Sequence, residues 1–421
     1  MRDSPASTNG RRPIRVAILG ATGSIGVSTL NVIQRHPGRF QVVALTANRS
    51  VEALAGQVEL HAPQTVVVAD EEAFQAHVRE GGAPPGSGAT PNAASAPIDG
   101  PRPTWTTGRE AILAAAEDPE VDVVVNALVG FAGLEPTLRA LRAGKRVALA
   151  NKESLVAGGD LVLEALRTNG GELIPVDSEH SAILQCLEGC APESVARLVL
   201  TASGGPFRGW SRERLARVSP AQALQHPTWD MGAKISIDSA TLANKALEVI
   251  EAHVLYGIDY AHIDVVVHPQ SIIHSLVEFV DGSVLAQMGF PTMELPILYA
   301  LTYPERVADA RLRTFDPVRS SPLTFEEVDR EAFPHFRIGV EAGRRGGTAP
   351  AAFNAANEVA VQAFLEERVS FPGMADAVEA GLEGAGGAPV TRLEEIIEAD
   401  RKARRLASEW ISRRRTRSAG S

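Results

Sequence analysis

The first part of the chain alternates short apolar runs with stretches of helical periodicity. Each run is rich in β-branched residues, as buried strands are, and the first is followed by apolar positions at helical spacing through Thr29, Val32 and Ile33. The predicted strands are residues 14–19, 40–45, 65–68, 121–125 and 146–149. Strands that alternate with helices favour a parallel sheet with right-handed crossovers. We therefore predict a doubly wound, Rossmann-like α/β domain over residues 1–174.

The pattern changes in the rest of the chain. Residues 175–301 combine predicted strands at 198–201, 265–267 and 283–287 with a helix that we expect to begin near Ser239, which predicts an α+β catalytic domain. Residues 302–323 are read as a linker. Residues 324–421 show helical spacing only and predict an all-α helical bundle that ends in a basic tail.

Composition and charge narrow the class of protein. The 421 residues exceed what one hydrophobic core holds, and 44% hydrophobic with 22% charged residues is typical of a soluble globular protein. A net charge of −10 argues against a general nucleic-acid binder. We find no signal core near the N-terminus and no apolar run of about 20 residues, so no membrane association and a cytoplasmic location are expected.

Three local features also carry expectations. Residues 80–103 are dense in Gly, Ala and Pro without periodicity, which predicts a loop insertion inside the first domain. The basic residues of the tail, from Arg401 to Arg417, are read as a solvated terminus. Cys186 and Cys190 are only four residues apart and have no metal-finger partners, so we expect reduced thiols.

A glycine-rich turn separates the first strand from the first helix. Gly20, Gly23 and Gly26 would let the backbone approach a pyrophosphate, which docks on free N–H groups at a helix N-terminus. The spacing is G-x-x-G-x-x-G rather than the more specific G-x-G-x-x-G. A tight turn without a ligand is the alternative.

The end of the second strand indicates which dinucleotide would bind. NAD enzymes usually carry an acidic residue there for the ribose 2′-hydroxyl, whereas this chain has Asn48, Arg49 and Ser50. A guanidinium can pair with a 2′-phosphate that a carboxylate would repel. The sequence therefore favours NADPH.

Several predicted strands are followed by a cluster of polar residues, and a further cluster lies at the start of a predicted helix. Asn151, Lys152 and Glu153 come after one strand, and Asp177, Ser178 and Glu179 end another; in an extended segment, Asp177 and Glu179 would point to the same side. Residues 201–207 resemble a phosphate cradle of small residues. A helix from Ser239 would place Asn244, Lys245 and Glu248 on one face, with a solvated helix face as the alternative.

Three carboxylates in these clusters suggest a metal site. Asp177, Glu179 and Glu248 form an all-oxygen set, which suits Mg²⁺ or Mn²⁺. Zinc would prefer clustered His and Cys, and His268 and His274 are six residues apart on either side of Pro269. We read those histidines as hydrogen-bonded structural residues.

Taken in order, the motifs resemble those of the 1-deoxy-D-xylulose-5-phosphate reductoisomerase family from about residue 14 to residue 400. The motifs are residues 20–26, 149–154, 175–180, 203–207, 226–229, 238–241, 244–245, 268–271 and 353–358. The chain departs from the family pattern in the insertion, in the Asn48-Arg49 turn and in the basic tail.

The resemblance implies an NADP-dependent oxidoreductase that also isomerises its substrate. The reaction is the NADPH- and divalent-metal-dependent rearrangement and reduction of 1-deoxy-D-xylulose 5-phosphate to 2-C-methyl-D-erythritol 4-phosphate, in isoprenoid precursor biosynthesis by the non-mevalonate pathway. It also implies a homodimer and an active-site lid at about residues 224–234, with Trp229 and Met231 covering the substrate.

The resemblance further implies a role for each motif residue. The catalytic residues are Lys152, Asp177, Glu179 and Glu248, and the metal ligands are Asp177, Glu179 and Glu248. The cofactor ligands are Thr22, Gly23, Ser24, Ile25, Asn48, Arg49, Ser50, Asn151, Glu153 and Gly232. The substrate ligands are Lys152, Ser178, Glu179, Ser203, His226, Ser239, Asn244, Lys245 and Glu248.

Two alternatives stay open at this point. A semialdehyde or homoserine-type NADP-dependent dehydrogenase also opens with a glycine turn, but the first needs a nucleophilic cysteine with a base partner and the second has no need of three acids. A non-catalytic NADPH-binding protein would have no need of Lys152 together with the acids.

Overall fold

The structure is a computed structural model. It describes residues 12–80, 82, 102–229, 231–313 and 315–419, with side chains up to residue 414. Most of the predicted insertion at 80–103 and the last arginines of the basic tail lie outside the residues whose side chains are described.

The N-terminal part is built on a sheet of seven parallel strands in the order β4-β3-β2-β1-β5-β6-β7. The strands are β1 Ile14–Leu19, β2 Phe40–Ala47, β3 Thr65–Val68, β4 Thr104–Thr107, β5 Val123–Asn126, β6 Arg146–Leu149 and β7 Glu172–Pro175. The order reverses direction at β1, and ligands of such sheets bind at the carboxyl edge beside this reversal.

Helices cover both faces of this sheet. They are α1 Ser24–Arg35, α2 Val51–His61, α3 Glu71–Arg79, α4 Arg109–Glu117, α5 Leu134–Arg142 and α6 Lys152–Asn169. Successive residues of β1 enter different cores: Val16 and Ile18 pack into one, and Ala17 and Leu19 into the other. Burial on both faces explains why the strands read as continuous apolar runs. The predicted doubly wound domain is confirmed.

A second, mixed sheet of five strands follows, in the order β11-β10-β8-β9-β12. Its strands are β8 Val195–Ala202, β9 Ile263–Val267, β10 Ile273–Phe279, β11 Val284–Met288 and β12 Glu326–Glu327. Strand β10 was not among the strands predicted from the sequence. The short β12 also corrects the prediction that the chain after residue 324 contains only helices, because it pairs with β9.

The helices that accompany this sheet are α7 Ser178–Leu187, α8 Arg212–Leu215, α9 Pro220–Ala223, α10 Ala233–Thr241, α11 Ala243–Tyr256 and α12 Glu294–Thr302. Helix α12 lies elsewhere than expected. Ile297 and Leu301 pack into the core of the first sheet, and the Arg35 guanidinium of α1 binds Glu294 and Asp309. Residues 294–301, predicted as part of the catalytic domain, therefore pack on the first domain.

The C-terminal part is a bundle of four helices, α13 Pro334–Arg345, α14 Ala349–Leu365, α15 Phe371–Ala385 and α16 Leu393–Ala419. Small residues allow close packing: Ala355 and Ala356 are fully buried in α14, and Gly381 of α15 lies against Ala356. The basic run of α16 is not uniformly solvated as predicted. Arg404 is half-buried and binds Asp400 at 2.7 Å and Glu358 at 2.6 Å.

None of the helices in the part of the chain that the structure describes combines the length and the apolar character that crossing a bilayer requires.

The glycine turn after β1 generates a stability prediction. A Cβ at Gly26 would meet the Cα and carbonyl oxygen of Ala21 at 2.5 Å, and a backbone cannot easily move aside. We expect Gly26→Ala to cost about 1–3 kcal/mol of unfolding free energy. Gly56→Ala is the matched control, because Gly56 is an exposed helix residue with nothing within 4 Å and should gain about 0.5–1 kcal/mol. Equal melting temperatures of the two variants would contradict the close approach.

Candidate active site

The acidic residues predicted for the metal site are brought together by helix termini rather than by a strand. Strand β7 ends at Pro175, and Asp177 is the N-cap of α7, where its side chain accepts a hydrogen bond from the Glu179 N–H. The prediction that Asp177 and Glu179 share a side of an extended segment is therefore wrong. The cap turns the chain, and both carboxylates still converge.

Glu248 comes from a helix that begins later than predicted. Helix α10 ends at Thr241, Leu242 adopts a left-handed conformation with φ of 60°, and α11 starts at Ala243. Ser239 therefore lies on a different helix from Asn244, Lys245 and Glu248, which share one face of the first turns of α11. The break lets the two helices present Ser239 and Glu248 to the same cavity.

The three carboxylates form a compact cluster. Asp177, Glu179 and Glu248 each offer one oxygen, and these oxygens lie within 4.8 Å of one another. Their donor set is all oxygen, and Glu248 is buried while the other two are partly exposed to the cavity. Such a set fits a hard dication, which leaves coordination positions open for other oxygens.

Two buried lysines offset most of the negative charge of the cluster. The Lys152 ammonium lies 2.9 Å from Glu248 Oε1 and 3.0 Å from Asn244 Oδ1, and it also binds Asp177. The Lys245 ammonium lies 2.6 Å from Glu179 Oε1 and also binds Glu248. Each lysine joins two of the carboxylates, so the charges balance to a net of one negative charge.

The charges shift the titration of these groups in opposite directions. Burial alone would raise the pKa of Asp177, but the Lys152 ammonium lowers it below its usual range. Burial and the neighbouring Glu248 carboxylate raise the pKa of Glu179 to about 7. Although burial opposes it, the adjacent carboxylates raise the pKa of Lys152 and of Lys245, so both lysines stay charged.

The predicted phosphate cradle lies at the end of β8. Gly204 and Gly205 have φ values of 82° and 64°, and Ser203 Oγ accepts the Gly205 N–H at 3.2 Å. His226 Nδ1 accepts the N–H groups of Thr228 and Trp229, so the ring proton sits on Nε2 and is donated to Ser203 Oγ at 2.9 Å. Burial lowers the pKa of His226, which keeps the ring neutral.

The predicted lid connects this cradle to the first domain. Trp229 and Met231 line the cavity, and Trp229 is half-buried rather than part of the core. At the end of the lid segment, the Lys234 ammonium of α10 binds Glu153 of α6 at 2.7 Å and Asp238 at 2.8 Å. Lys234 is not among the site residues predicted from the sequence. Asp238 is one helical turn away, but Glu153 lies 81 residues earlier in the chain, so no local pattern identifies that contact.

The glycine turn faces the same space as the acids. A cavity of about 450 Å³ is lined by residues of the start of α1, the acid cluster, the cradle and the lid. Glycine at position 23 has no side chain to cap α1, so its first N–H groups are open to a ligand. Ten predicted substrate or metal residues and three predicted cofactor residues line this cavity: Lys152, Asp177, Ser178, Glu179, Ser203, His226, Ser239, Asn244, Lys245 and Glu248, and Ser24, Ile25 and Gly232.

The remaining predicted cofactor residues lie around this cavity rather than in its wall. Asn48, Arg49 and Ser50 follow β2 at the carboxyl edge of the sheet, and Thr22 and Gly23 belong to the glycine turn. The side chains of Asn151 and Glu153 already have protein partners. Asn151 caps α6 and donates to the Leu128 and Gly130 carbonyls, while Glu153 binds Lys234.

One histidine lies closer to the site than predicted. His268 fits the structural interpretation, since Nδ1 bonds the Thr324 carbonyl at 2.9 Å and Nε2 accepts the Ile272 N–H. His274, in contrast, lines the cavity, and burial lowers its pKa to about 4. Its place on the missed strand β10 explains why its position could not be predicted.

Comparison with known proteins decides the family. Three family models match consecutive parts of the chain: 1-deoxy-D-xylulose 5-phosphate reductoisomerase at residues 16–159, its C-terminal domain at 173–256, and a DXP reductoisomerase C-terminal domain at 288–406. The chain belongs to the 1-deoxy-D-xylulose 5-phosphate reductoisomerase family. The resemblance predicted from the motifs is confirmed, and the dehydrogenase alternative is not favoured.

Relatives of this family cover nearly the whole chain. The 1-deoxy-D-xylulose 5-phosphate reductoisomerase of Gloeobacter violaceus is 49% identical over 92% of this chain and 95% of its own length. That of Laribacter hongkongensis is 48% identical over 93% of this chain and 97% of its own length.

Solved structures of the family agree in fold. The Zymomonas mobilis enzyme in complex with NADPH has a TM-score of 0.84 and 42% identity, covering 95% of this chain and 99% of its own. A DOX-P reductoisomerase in complex with NADPH, fosmidomycin and magnesium also has a TM-score of 0.84, with 39% identity and coverage of 95% and 98%.

The acid cluster generates a prediction about metal binding. Replacing Glu179 or Glu248 by Gln keeps the shape of the side chain but removes one negative charge from the set of ligands. Since hard dications are held largely by that charge, we expect Mn²⁺ affinity to fall by at least about tenfold in a calorimetric titration, and activity to nearly vanish. NADPH binding, followed by fluorescence, should survive because the glycine turn is untouched. Full activity of both variants at ordinary Mn²⁺ concentrations would exclude these carboxylates as the metal site.

Proposed function

We propose that this chain converts 1-deoxy-D-xylulose 5-phosphate to 2-C-methyl-D-erythritol 4-phosphate with NADPH and a divalent metal, as a step towards isoprenoid precursors by the non-mevalonate route. The observation that carries the proposal is the shared cavity, in which the open N-terminus of α1 faces the acid cluster and the phosphate cradle. A rearrangement and a reduction of one substrate need these parts within reach of each other.

Asp177, Glu179 and Glu248 would hold Mg²⁺ or Mn²⁺. When bound, the ion supplies Lewis-acid stabilisation of negative charge on the substrate oxygens. Lys152 and Lys245 bind these same carboxylates. With a dication bound, the three carboxylates, the ion and the two lysines would sum to one positive charge, which suits an anionic substrate, and the lysines would shift to neighbouring oxygens. The lysines would then face the substrate, where their charge complements its hydroxyl and phosphate oxygens.

Lys152 is the residue that we assign to charge stabilisation during the reduction. It is the first residue of α6, at the carboxyl edge of the sheet, and its ammonium reaches Glu248 and Asn244 of α11. NADPH, when bound, supplies the hydride. An ammonium held there would stabilise the alkoxide that develops on the carbonyl oxygen and could donate a proton to it.

The phosphate would be held by Ser203, His226, Ser239, Asn244 and Lys245. Ser178 would bind a substrate hydroxyl. Neutral His226 donates from Nε2, and hydroxyl and amide groups can donate likewise, so the cradle offers directed hydrogen bonds together with one cation. Binding energy from the phosphate, which does not react, would position the carbons that do.

The cofactor would lie along the carboxyl edge of the first sheet. Thr22, Gly23, Ser24 and Ile25 would receive the pyrophosphate at the α1 N-terminus, and Asn48, Arg49 and Ser50 the 2′-phosphate. Asn151, Glu153 and Gly232 would complete the site near the nicotinamide end. The side chains of Asn151 and Glu153 have protein partners, so their part would be to fix the local backbone as much as to contact the cofactor.

A homodimer and a cytoplasmic location are part of the proposal. Strand β11 is the edge of the second sheet, and Val284 and Leu285 on it are about half exposed, at 52% and 47%. An apolar sheet edge is a surface that a second copy could cover. We therefore propose that two copies of the chain pair along this edge in the homodimer.

The proposed reaction is tested by adding 1-deoxy-D-xylulose 5-phosphate, NADPH and Mg²⁺ and following the absorbance of the reduced nicotinamide. We expect consumption of NADPH that stops when a chelator is added. We expect none when aspartate semialdehyde, the aldehyde that a homoserine-type dehydrogenase reduces, replaces the sugar phosphate. Turnover that persists in the chelator would contradict the metal-dependent reaction.

Cofactor preference gives a second prediction. We expect NADPH to be used far better than NADH, and Arg49→Met to raise the Michaelis constant for NADPH by about tenfold while leaving that for NADH unchanged. The Arg49 guanidinium can form an ion pair only with the cofactor that carries the 2′-phosphate, so its loss should affect NADPH alone. Equal use of both cofactors by the intact enzyme would remove the assignment of Arg49.

The lid gives a third. Trp229 lines the cavity and is half-buried, so Trp229→Ala should fold normally but weaken substrate binding or turnover, because the lid no longer excludes water. A core tryptophan would instead cost roughly 3–5 kcal/mol of unfolding free energy. Thermal unfolding of the variant separates these outcomes, and a large loss of stability would contradict the lid.

A further inference from the structure

Asp70 is attached at two points to the turn that carries Arg49. It follows β3, and its backbone N–H donates to the Asn48 carbonyl at 3.1 Å. Its side-chain oxygen Oδ2 accepts from Arg49 Nε at 2.6 Å. One residue of the neighbouring strand therefore fixes both the backbone and the guanidinium of the turn at residues 48–50.

The Asp70 carboxylate is itself held in place. Its second oxygen, Oδ1, accepts the Ala73 N–H at 2.9 Å and caps helix α3. A side chain with one oxygen bound to a helix N-terminus has little freedom to follow Arg49 as that residue moves. The carboxylate is thus a fixed point to which the arginine is tied, rather than a mobile partner.

The contact with Asp70 leaves the two terminal nitrogens of Arg49 free to bind a phosphate. Only Nε faces Asp70, while the side chain as a whole is 69% exposed, so the two terminal nitrogens can point away from the carboxylate. A guanidinium binds phosphate through parallel hydrogen bonds, and its fork must be aimed for both to form. Holding Nε reduces the rotamers that Arg49 would lose on binding.

We propose that Asp70 is a positioning residue for cofactor choice, which favours NADPH over NADH by aiming the Arg49 guanidinium at the 2′-phosphate. This inference rests on the proposed function, in which Arg49 receives that phosphate. The negative charge of Asp70 lies near the phosphate as well, but solvent screens exposed charges strongly, and the arginine stands between the two.

A direct contact of Asp70 with the adenine ring is the competing role. It has a different signature, because NADPH and NADH carry the same adenine. Loss of an adenine contact would weaken both cofactors by the same factor, whereas loss of an aimed guanidinium weakens NADPH alone. The ratio of the two dissociation constants therefore separates the roles.

The test uses the full chain and measures dissociation constants for NADPH and NADH by nicotinamide fluorescence in Asp70→Asn. Asparagine also caps helices well, but while its oxygen caps α3 the position of Oδ2 is taken by an NH2 group, which cannot accept from Arg49 Nε. Glu117→Gln is the matched control, since Glu117 binds Arg139 at 3.0 Å on the surface of the same domain. The double variant Arg49→Met/Asp70→Asn tests whether Asp70 acts through Arg49.

We expect Asp70→Asn to weaken NADPH binding about three- to fivefold and to leave NADH binding unchanged. The control should match the wild type, and in the Arg49→Met background the Asp70 substitution should have no further effect. Equal weakening of both cofactors, no change, or tighter NADPH binding would each overturn the inference while leaving the proposed reaction intact. A wild-type enzyme without preference for NADPH would overturn the assignment of Arg49 and this inference with it.

Discussion

The site requires three carboxylates to be held a few ångströms apart inside the protein. Asp177, Glu179 and Glu248 would repel one another strongly if left alone, and burial makes each charge costly. Lys152 and Lys245 offset this by joining the acids in pairs. The lysines come from α6 and α11, so the charge balance also links the first domain to the second.

Backbone features at helix ends put these groups in place. The N-cap at Asp177 turns the chain out of β7, and the left-handed residue Leu242 divides what would be one helix into α10 and α11. Without that division, Ser239 and Glu248 would lie along a single axis, about nine residues or 13 Å apart. Local chain geometry therefore brings Ser239 and Glu248 to the wall of one cavity.

The sequence predicted the features that depend on near neighbours. Most strands of the first sheet are apolar runs, and the glycine turn has its spacing within seven residues, so both could be identified directly. Strand β4, with the sequence Thr-Trp-Thr-Thr, is not such a run and was not predicted. The acid set was identified by its chemistry and by family resemblance, although the geometry assumed for Asp177 and for the helix at Ser239 was wrong. Both errors concern helix N-caps and helix breaks, which are determined by a few local hydrogen bonds.

Features that depend on contacts between distant parts of the chain could not be predicted from the sequence. The docking of α12 on α1 rests on Arg35 meeting Glu294 and Asp309, more than 250 residues away. Lys234 became part of the site only through Glu153, and Asp70 only through the Arg49 turn. Periodicity gives no sign of such pairs, because each residue alone reads as an ordinary surface charge.

The central claim is that the lysine-balanced acid cluster is the metal site, and anomalous diffraction from crystals grown with Mn²⁺ tests it most directly. The account predicts one strong anomalous peak roughly 2.0–2.5 Å from oxygens of Asp177, Glu179 and Glu248, with the ammonium groups of Lys152 and Lys245 moved away from it. A fully active enzyme whose crystals show the ion bound elsewhere, with both lysines still between the carboxylates, would contradict it.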